Sequence, residues 1–204
     1  RLYGDTFPND KPHRMSLVMR EPLGVVAAIS PFNAPLALVA KMTVFALAAG
    51  NTVVLKPSEL TPLTAIAFVR AAHASGVPAG VINVLPGYGQ ECGEPLVKHP
   101  LVRGFSFTGS TAVGSHLGAM ATASMKRLQL ELGGKNPLIV LEDFDPKQAA
   151  QIACQGAFAH AGQICMASSR VIVERNIYES FCSHLKEEAE SLHLGGIRDP
   201  ETAY

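Results

Sequence analysis

From Leu23 onward the chain repeats one pattern, a short run rich in β-branched and apolar residues followed by a longer run of helical periodicity. Parallel strands need a crossover of roughly a dozen residues or more, supplied most simply by a helix. The alternation therefore leaves few folds open besides a parallel sheet with helices against its faces. Strands are expected at 24–29, 52–55, 81–85, 102–107 and 127–131, with helices at 34–49, 62–74, 90–98 and 110–123. Gly50 and Gly76 follow the first two helical runs, as expected where a helix ends in a left-handed residue. Val53-Val54-Leu55 is apolar at every position, which predicts burial on both faces and right-handed crossovers. The fold class expected is α/β with a doubly wound parallel sheet, its ligands at the carboxyl ends of the strands.

A second run begins after Gly133-Gly134. It predicts a strand at 138–141, a helix capped by Asp145 with Pro146 in its first turn and reaching about His160, a strand at 170–174 and a helix at 178–192. That half has too few elements to close its own core, so further sequence is expected to complete it. Residues 1–22 are polar and proline-dotted, with one alternating run at 15–20 suited to an edge strand; they are expected to form a connecting arm. With Arg1 first and a polar stretch last, the chain is expected to be an internal piece.

Charge excludes several function classes. The 17 basic residues balance 17 acidic ones and form no run, which argues against nucleic acid or a membrane surface and for a small-molecule partner. No apolar stretch reaches 18 residues; the longest, 34–49, contains Lys41. The cysteines at 92, 154, 165 and 182 make no CxxC pair, so reduced thiols in the cytoplasm are expected and no metal site is indicated.

Cys165 sits in Gly162-Gln163-Ile164-Cys165-Met166, a glycine-led connection between helix and strand. A thiol there suits a nucleophile, or equally a small buried core residue. Lys56-Pro57-Ser58-Glu59 follows a buried strand, where Lys56 can meet a phosphate or ribose and Glu59 can accept from a diol; a carboxylate there favours NAD over NADP. The alternative is a solvated lysine and a helix-start carboxylate. Thr108-Gly109-Ser110 ends a strand and opens a helix, offering N–H groups to a pyrophosphate or simply a cap at Ser110. Glu131, beside two glycines, suits a general base or an exposed hinge residue. Asn33 suits an oxyanion donor or a helix cap. A GxGxxG fingerprint is absent, since three residues separate Gly89 from Gly93.

Together the blocks PFN, KPSE, PGYG, FTGS, ELGGKNP and GQICMASSR resemble the aldehyde dehydrogenase superfamily from about Glu21 through Tyr204, in its order and at its separations. Asn33 and Lys56 are 23 residues apart, and Glu131 and Cys165 are 34 apart. The resemblance implies an oxidoreductase that converts an aldehyde to a carboxylate with NAD, NADP being possible. It implies a Rossmann-like dinucleotide-binding domain at 23–134, the start of a second α/β catalytic domain at 135–204, and a place for 1–22 in the oligomerisation region. Cys165 would be the nucleophile, passing through a thiohemiacetal and a thioester; Asn33 would hold the oxyanion and Glu131 would activate water. Lys56, Ser58, Glu59, Gly89, Gly109, Ser110 and Gly133 would contact the cofactor. Ala34, Leu38, Lys41, Ile164 and Met166 would line the substrate tunnel, favouring a hydrophobic or aromatic aldehyde. The family's later cofactor contacts lie beyond Tyr204, so the isolated segment is expected to be inactive and its parent a homo-oligomeric dimer or tetramer.

Two rival classes stand beside this one. A cysteine-dependent acyl hydrolase would need a histidine partner, and His160, five residues upstream on a predicted helix, would point away from Cys165. A non-catalytic nucleotide-binding module would keep the pocket without needing Cys165, Glu131 and Asn33 together.

Overall fold

The computed structural model describes residues 2–196, 198–200 and 202. The chain forms two compact units, Arg1–Glu131 and Leu132–Tyr204.

In the first unit, β1 (Asp5–Phe7) pairs antiparallel with β2 (Ser16–Val18). The expected edge strand is β2; its partner is three residues long, too short to show alternation. Then come β3 (Val25–Ile29), α1 (Pro35–Ala48), β4 (Thr52–Lys56), α2 (Pro62–Ala74) and β5 (Ile82–Val84). A π-helical turn at Gly89–Gly93 leads into α3 (Glu94–Lys98), followed by β6 (Val102–Gly109), α4 (Thr111–Ala123) and β7 (Arg127–Leu132). The sheet order is β5-β4-β3-β6-β7. β3 runs parallel to both β4 and β6, and β4 runs parallel to β5. The chain thus winds outward from β3 in one direction and returns to β6 on the other side. This makes the β3–β6 seam the switch point of a doubly wound sheet.

The core follows from the apolar strands. Val26 to Ile29 of β3 are buried, and Val53, Leu55 and Ile82 pack with Val39, Ala65 and Val69 of the covering helices. Gly50 and Gly76 have φ of 80° and 95°, the left-handed ends read from the sequence. Asn51 then ties the end of α1 to the start of β3, donating to the Ala46 carbonyl at 3.0 Å and accepting from the Gly24 N–H at 3.1 Å. The expected single helix at 90–98 is corrected. The Glu94 N–H bonds to the Gly89 carbonyl, five residues back, and Pro95 has no N–H with which to continue an α-helical ladder.

In the second unit, β8 (Asn136–Val140) pairs parallel with β9 (Ser168–Val173), flanked by α5 (Pro146–Phe158) and α6 (Tyr178–Glu190). Asp145 caps α5 by accepting from the Lys147 N–H at 3.1 Å. Ala149, Ala150 and Ala153 present a face of small side chains, and Phe181 of α6 fills the space against them and Val140. The helix expected to reach His160 ends at Phe158, because the backbone turns left-handed just beyond it. Among the described residues no helix is long and apolar enough to cross a membrane.

Leu55 is fully buried in β4. Leu55→Ala should therefore lower the stability of the first unit by about 2–5 kcal/mol, whereas Ile139→Ala, at an exposed position of β8, should cost far less. Hydrogen exchange of α1 and β4 amides against those of α5 and α6 checks that the loss is confined to the first unit.

Candidate functional site

The carboxyl ends of β3, β4 and β6 collect most of the residues singled out in the first unit. Asn33 lies half-buried in the turn between β3 and α1. The cap position of α1 is Ala34, whose side chain makes no cap hydrogen bond, so Asn33 does not occupy the cap position. Ala34 and Leu38 are half-buried on the same segment. One turn on, the Lys41 ammonium lies 3.4 Å from the Glu131 carboxylate at the far end of β7, both about half exposed. The carboxylate expected to act as base is thus neither buried nor unpaired.

Lys56 is not the solvated lysine of the alternative reading. It is 2% exposed, and its ammonium donates to the Pro57 carbonyl at 2.9 Å and lies 3.4 Å from Glu59. A buried lysine must be paired, and here the pairing is partial. Glu59 stands in a turn rather than at a helix start. Its own backbone N–H, and then the Lys56 charge, hold its carboxyl below the ordinary range, against burial, which raises it. Ser58 accepts from the Leu60 N–H at 3.3 Å.

A cavity of about 260 Å³ opens beside Lys56, walled by Ile29, Gly89, Phe107, His116 and Leu117. Gly109 closes β6, where an added Cβ would come within 2.5 Å of the Phe107 ring. Ser110 caps α4 by accepting from the Val113 N–H at 3.3 Å, so the cap reading of that residue is correct. Two residues were missed. The hydroxyls of Ser30, just past β3, and Thr108, near the end of β6, are buried without a hydrogen-bond partner among the described residues. Buried orphan hydroxyls cost roughly 1–3 kcal/mol each unless something meets them. A polar ligand at the switch point would satisfy them, and no sequence pattern marks such atoms.

In the second unit the chain leaves α5 through three successive left-handed residues, His160, Ala161 and Gly162, at φ of 57°, 54° and 71°. Two of them are not glycine and cost about 1–2 kcal/mol apiece. This reversal is why α5 stops at Phe158. Beyond it the Ala167 N–H bonds to the Ile164 carbonyl at 3.1 Å, making a turn with Cys165 and Met166 at its tip. Ile164 is half-buried, while Cys165 and Met166 are exposed. The Asn136 amide, unassigned in the sequence, donates to the carbonyls of Cys165 at 2.8 Å and Ala167 at 3.1 Å, stapling that turn to the start of β8. Gly133 is exposed with open space around its Cα.

Cys165 is therefore no core residue. Cys154 fills that role, its thiol pushed up first by burial and then by Glu188. Among the described residues no cluster of His, Cys, Asp and Glu is suited to hold a metal.

The family model "Aldehyde dehydrogenase family" matches residues 1–204. The chain is 45% identical over 203 residues to a mitochondrial succinate-semialdehyde dehydrogenase of Arabidopsis thaliana, covering 99% of this chain and 38% of that protein. It is 47% identical over 188 residues to a phenylacetaldehyde dehydrogenase of Pseudomonas fluorescens, covering 92% of this chain and 37% of that one. The solved NAD+ complex of an aldehyde dehydrogenase from Bacillus cereus superposes with a TM-score of 0.95 at 38% identity, over 100% of this chain and 41% of its own. The chain thus spans about two-fifths of the length of the relatives it matches.

Exposure predicts the order of alkylation. Iodoacetamide should modify Cys165 first, Cys92 and Cys182 more slowly and Cys154 last, as read by peptide mass spectrometry; equal rates would place Cys165 in a protected setting. The lowered Glu59 pKa predicts a second outcome. Its stabilisation is fully present above the ordinary carboxyl pKa of 4.5 and is lost as pH falls through the lower folded value. Glu59→Gln should therefore lower stability at pH 7 and flatten that part of the acid limb in urea melts between pH 3 and 6, the difference from the unsubstituted chain shrinking towards the acid end.

Proposed function

The chain belongs to the aldehyde dehydrogenase family, and on that premise we propose that its parent oxidises an aldehyde to a carboxylate with NAD(P)+, residues 23–134 forming the dinucleotide-binding domain and 135–204 the first part of the catalytic domain. The observation that carries this is the exposed Cys165 at the tip of a turn held by Asn136. A nucleophile must be presented to its substrate, and a thiol displayed at such a backbone cost is consistent with that task.

The residues present fit a dinucleotide. The walled cavity beside Lys56, the capped start of α4 at Ser110 and the orphan hydroxyls of Ser30 and Thr108 cluster at the switch point of the sheet. In this reading Lys56, Ser58 and Glu59 hold the adenosine ribose, Gly89 lets the chain approach the adenine, Gly109 and Ser110 meet the pyrophosphate, and Gly133 lies near the nicotinamide. Glu59 accepts from a ribose diol and repels a 2′-phosphate, which favours NAD.

The Cys165 thiolate attacks the aldehyde carbon, and the resulting oxyanion accepts from the Asn33 amide and the Cys165 N–H. Bound NAD(P)+ supplies the acceptor for the hydride that leaves this thiohemiacetal. Glu131 then takes a proton from the water that cleaves the Cys165 thioester, releasing acid and thiol. Ala34, Leu38, Ile164 and Met166 wall the substrate path in this reading, with Lys41 as its one cation. A reduced compartment such as the cytoplasm suits four free thiols. The parent acts as a homo-oligomer.

The test is NADH formation at 340 nm by the intact parent over a panel of aliphatic, aromatic and carboxylate-bearing aldehydes. Cys165→Ala should abolish turnover, and Asn33→Ala should lower it about 10²- to 10³-fold. Glu131→Gln should leave a single burst of NADH with trapped thioester. NAD+ binding without turnover by the parent would instead favour the nucleotide-binding module.

A further inference from the structure

A cavity of about 550 Å³ belongs to no part of that chemistry. It opens at the amino-terminal end of the sheet in the first unit, the end opposite the switch-point residues. Lys98, Arg103, Lys126 and Arg127 enter its wall, and no aspartate or glutamate does. Topology accounts for the gathering. Arg103 is the second residue of β6 and Arg127 the first of β7, neighbouring strands whose crossover α4 returns the chain to the same end. The left-handed Met125, at φ of 53°, turns the chain out of α4 and into Lys126.

Three of these four charges have no counter-charge among the described residues. Lys98 has a partner in Glu94 at 3.2 Å, which also meets His116 at 3.0 Å. Arg103, Lys126 and Arg127 have no carboxylate within ion-pair distance among the described residues. The Lys126 ammonium donates to the His99 carbonyl at 2.6 Å, a neutral acceptor. Burial and then the Arg103 charge hold the Lys126 ammonium below its usual range. Three unpaired cations brought together repel one another, and the arrangement is relieved by an anion among them.

We propose that this cavity is a binding site for a small diphosphate-bearing anion, distinct from the dinucleotide site at the other end of the sheet. Guanidinium forks match phosphate oxygens two at a time, and Arg103 and Arg127 start adjacent strands about 4.8 Å apart. Two such forks plus the Lys126 point charge suit two linked phosphates better than one, and the volume exceeds what a single oxyanion needs. The overall charge balance of the chain concealed this local excess.

Calorimetric titration of the intact parent with inorganic pyrophosphate, at fixed ionic strength and repeated with NAD+ saturating, tests the site. The expected result is one site per chain whose affinity falls about tenfold or more in Arg103→Gln/Arg127→Gln. Ser110→Ala and saturating NAD+ should leave that affinity unchanged, and circular dichroism should show both variants folded. A single Lys126→Met variant, which keeps the strand starts intact, should weaken binding in the same direction. Absence of binding, binding that survives the arginine changes, or binding competed away by NAD+ would overturn the proposal. The first two outcomes leave the dehydrogenase reading untouched, since that reading rests on the opposite end of the sheet.

Discussion

The strand that everything else in the first unit depends on is β3. It is bonded on one side to β4 and on the other to β6, so its N–H and C=O groups are satisfied only inside the sheet. Its side chains are buried along nearly its whole length. A strand in that position admits nothing but small and branched apolar residues, and Val25 to Ile29 are Val-Val-Ala-Ala-Ile. Because the winding reverses at β3, helices lead away from it on both faces, and the crevice at its carboxyl end is left uncovered by either. The position of Lys56, Asn33 and Ser110 around that crevice is a consequence of this one constraint.

Electrostatics then separates the two ends of the sheet. At the carboxyl end a buried ammonium has one carbonyl and one part-exposed carboxylate, and the hydroxyls of Ser30 and Thr108 lack partners among the described residues. The structure thus leaves polar capacity at a place where water is largely excluded, and local interactions there are stronger for it. At the amino end the polar capacity is of one sign. Positive charge gathers at a more open cavity, where screening is greater and long-range attraction of an anion matters more than geometry.

The second unit depends on a different device. A left-handed turn of three residues is unfavourable for His160 and Ala161, and the Asn136 amide, bonded to the Cys165 and Ala167 carbonyls, helps hold the next turn in place. Strain that is held by surrounding bonds gives a single conformation where a free loop would give many. The Cys165 thiol is thereby offered at a turn tip while Cys154, eleven residues earlier on α5, disappears into the core. Identical chemistry at two positions is given different fates by the backbone alone.

The alternation of strand and helix, the glycine ends at Gly50 and Gly76, the Asp145 cap and the ordered blocks around Asn33, Lys56, Glu131 and Cys165 were all legible without a structure. Each depends on residues close in sequence, whose conformational preferences act within a turn or a strand. Other features were not legible, because they depend on what a residue meets far along the chain. The burial of Lys56, the pairing of Lys41 with Glu131 and the orphan hydroxyls of Ser30 and Thr108 exist only after the sheet has assembled. The break of α5 at Phe158 left no sequence signal, because alanine and histidine carry no warning of a left-handed conformation. The cluster of Arg103, Lys126 and Arg127 was hidden for the same reason as the rest: parallel crossovers bring together strand starts that are some twenty residues apart, and a sequence read in order cannot show which charges share a wall.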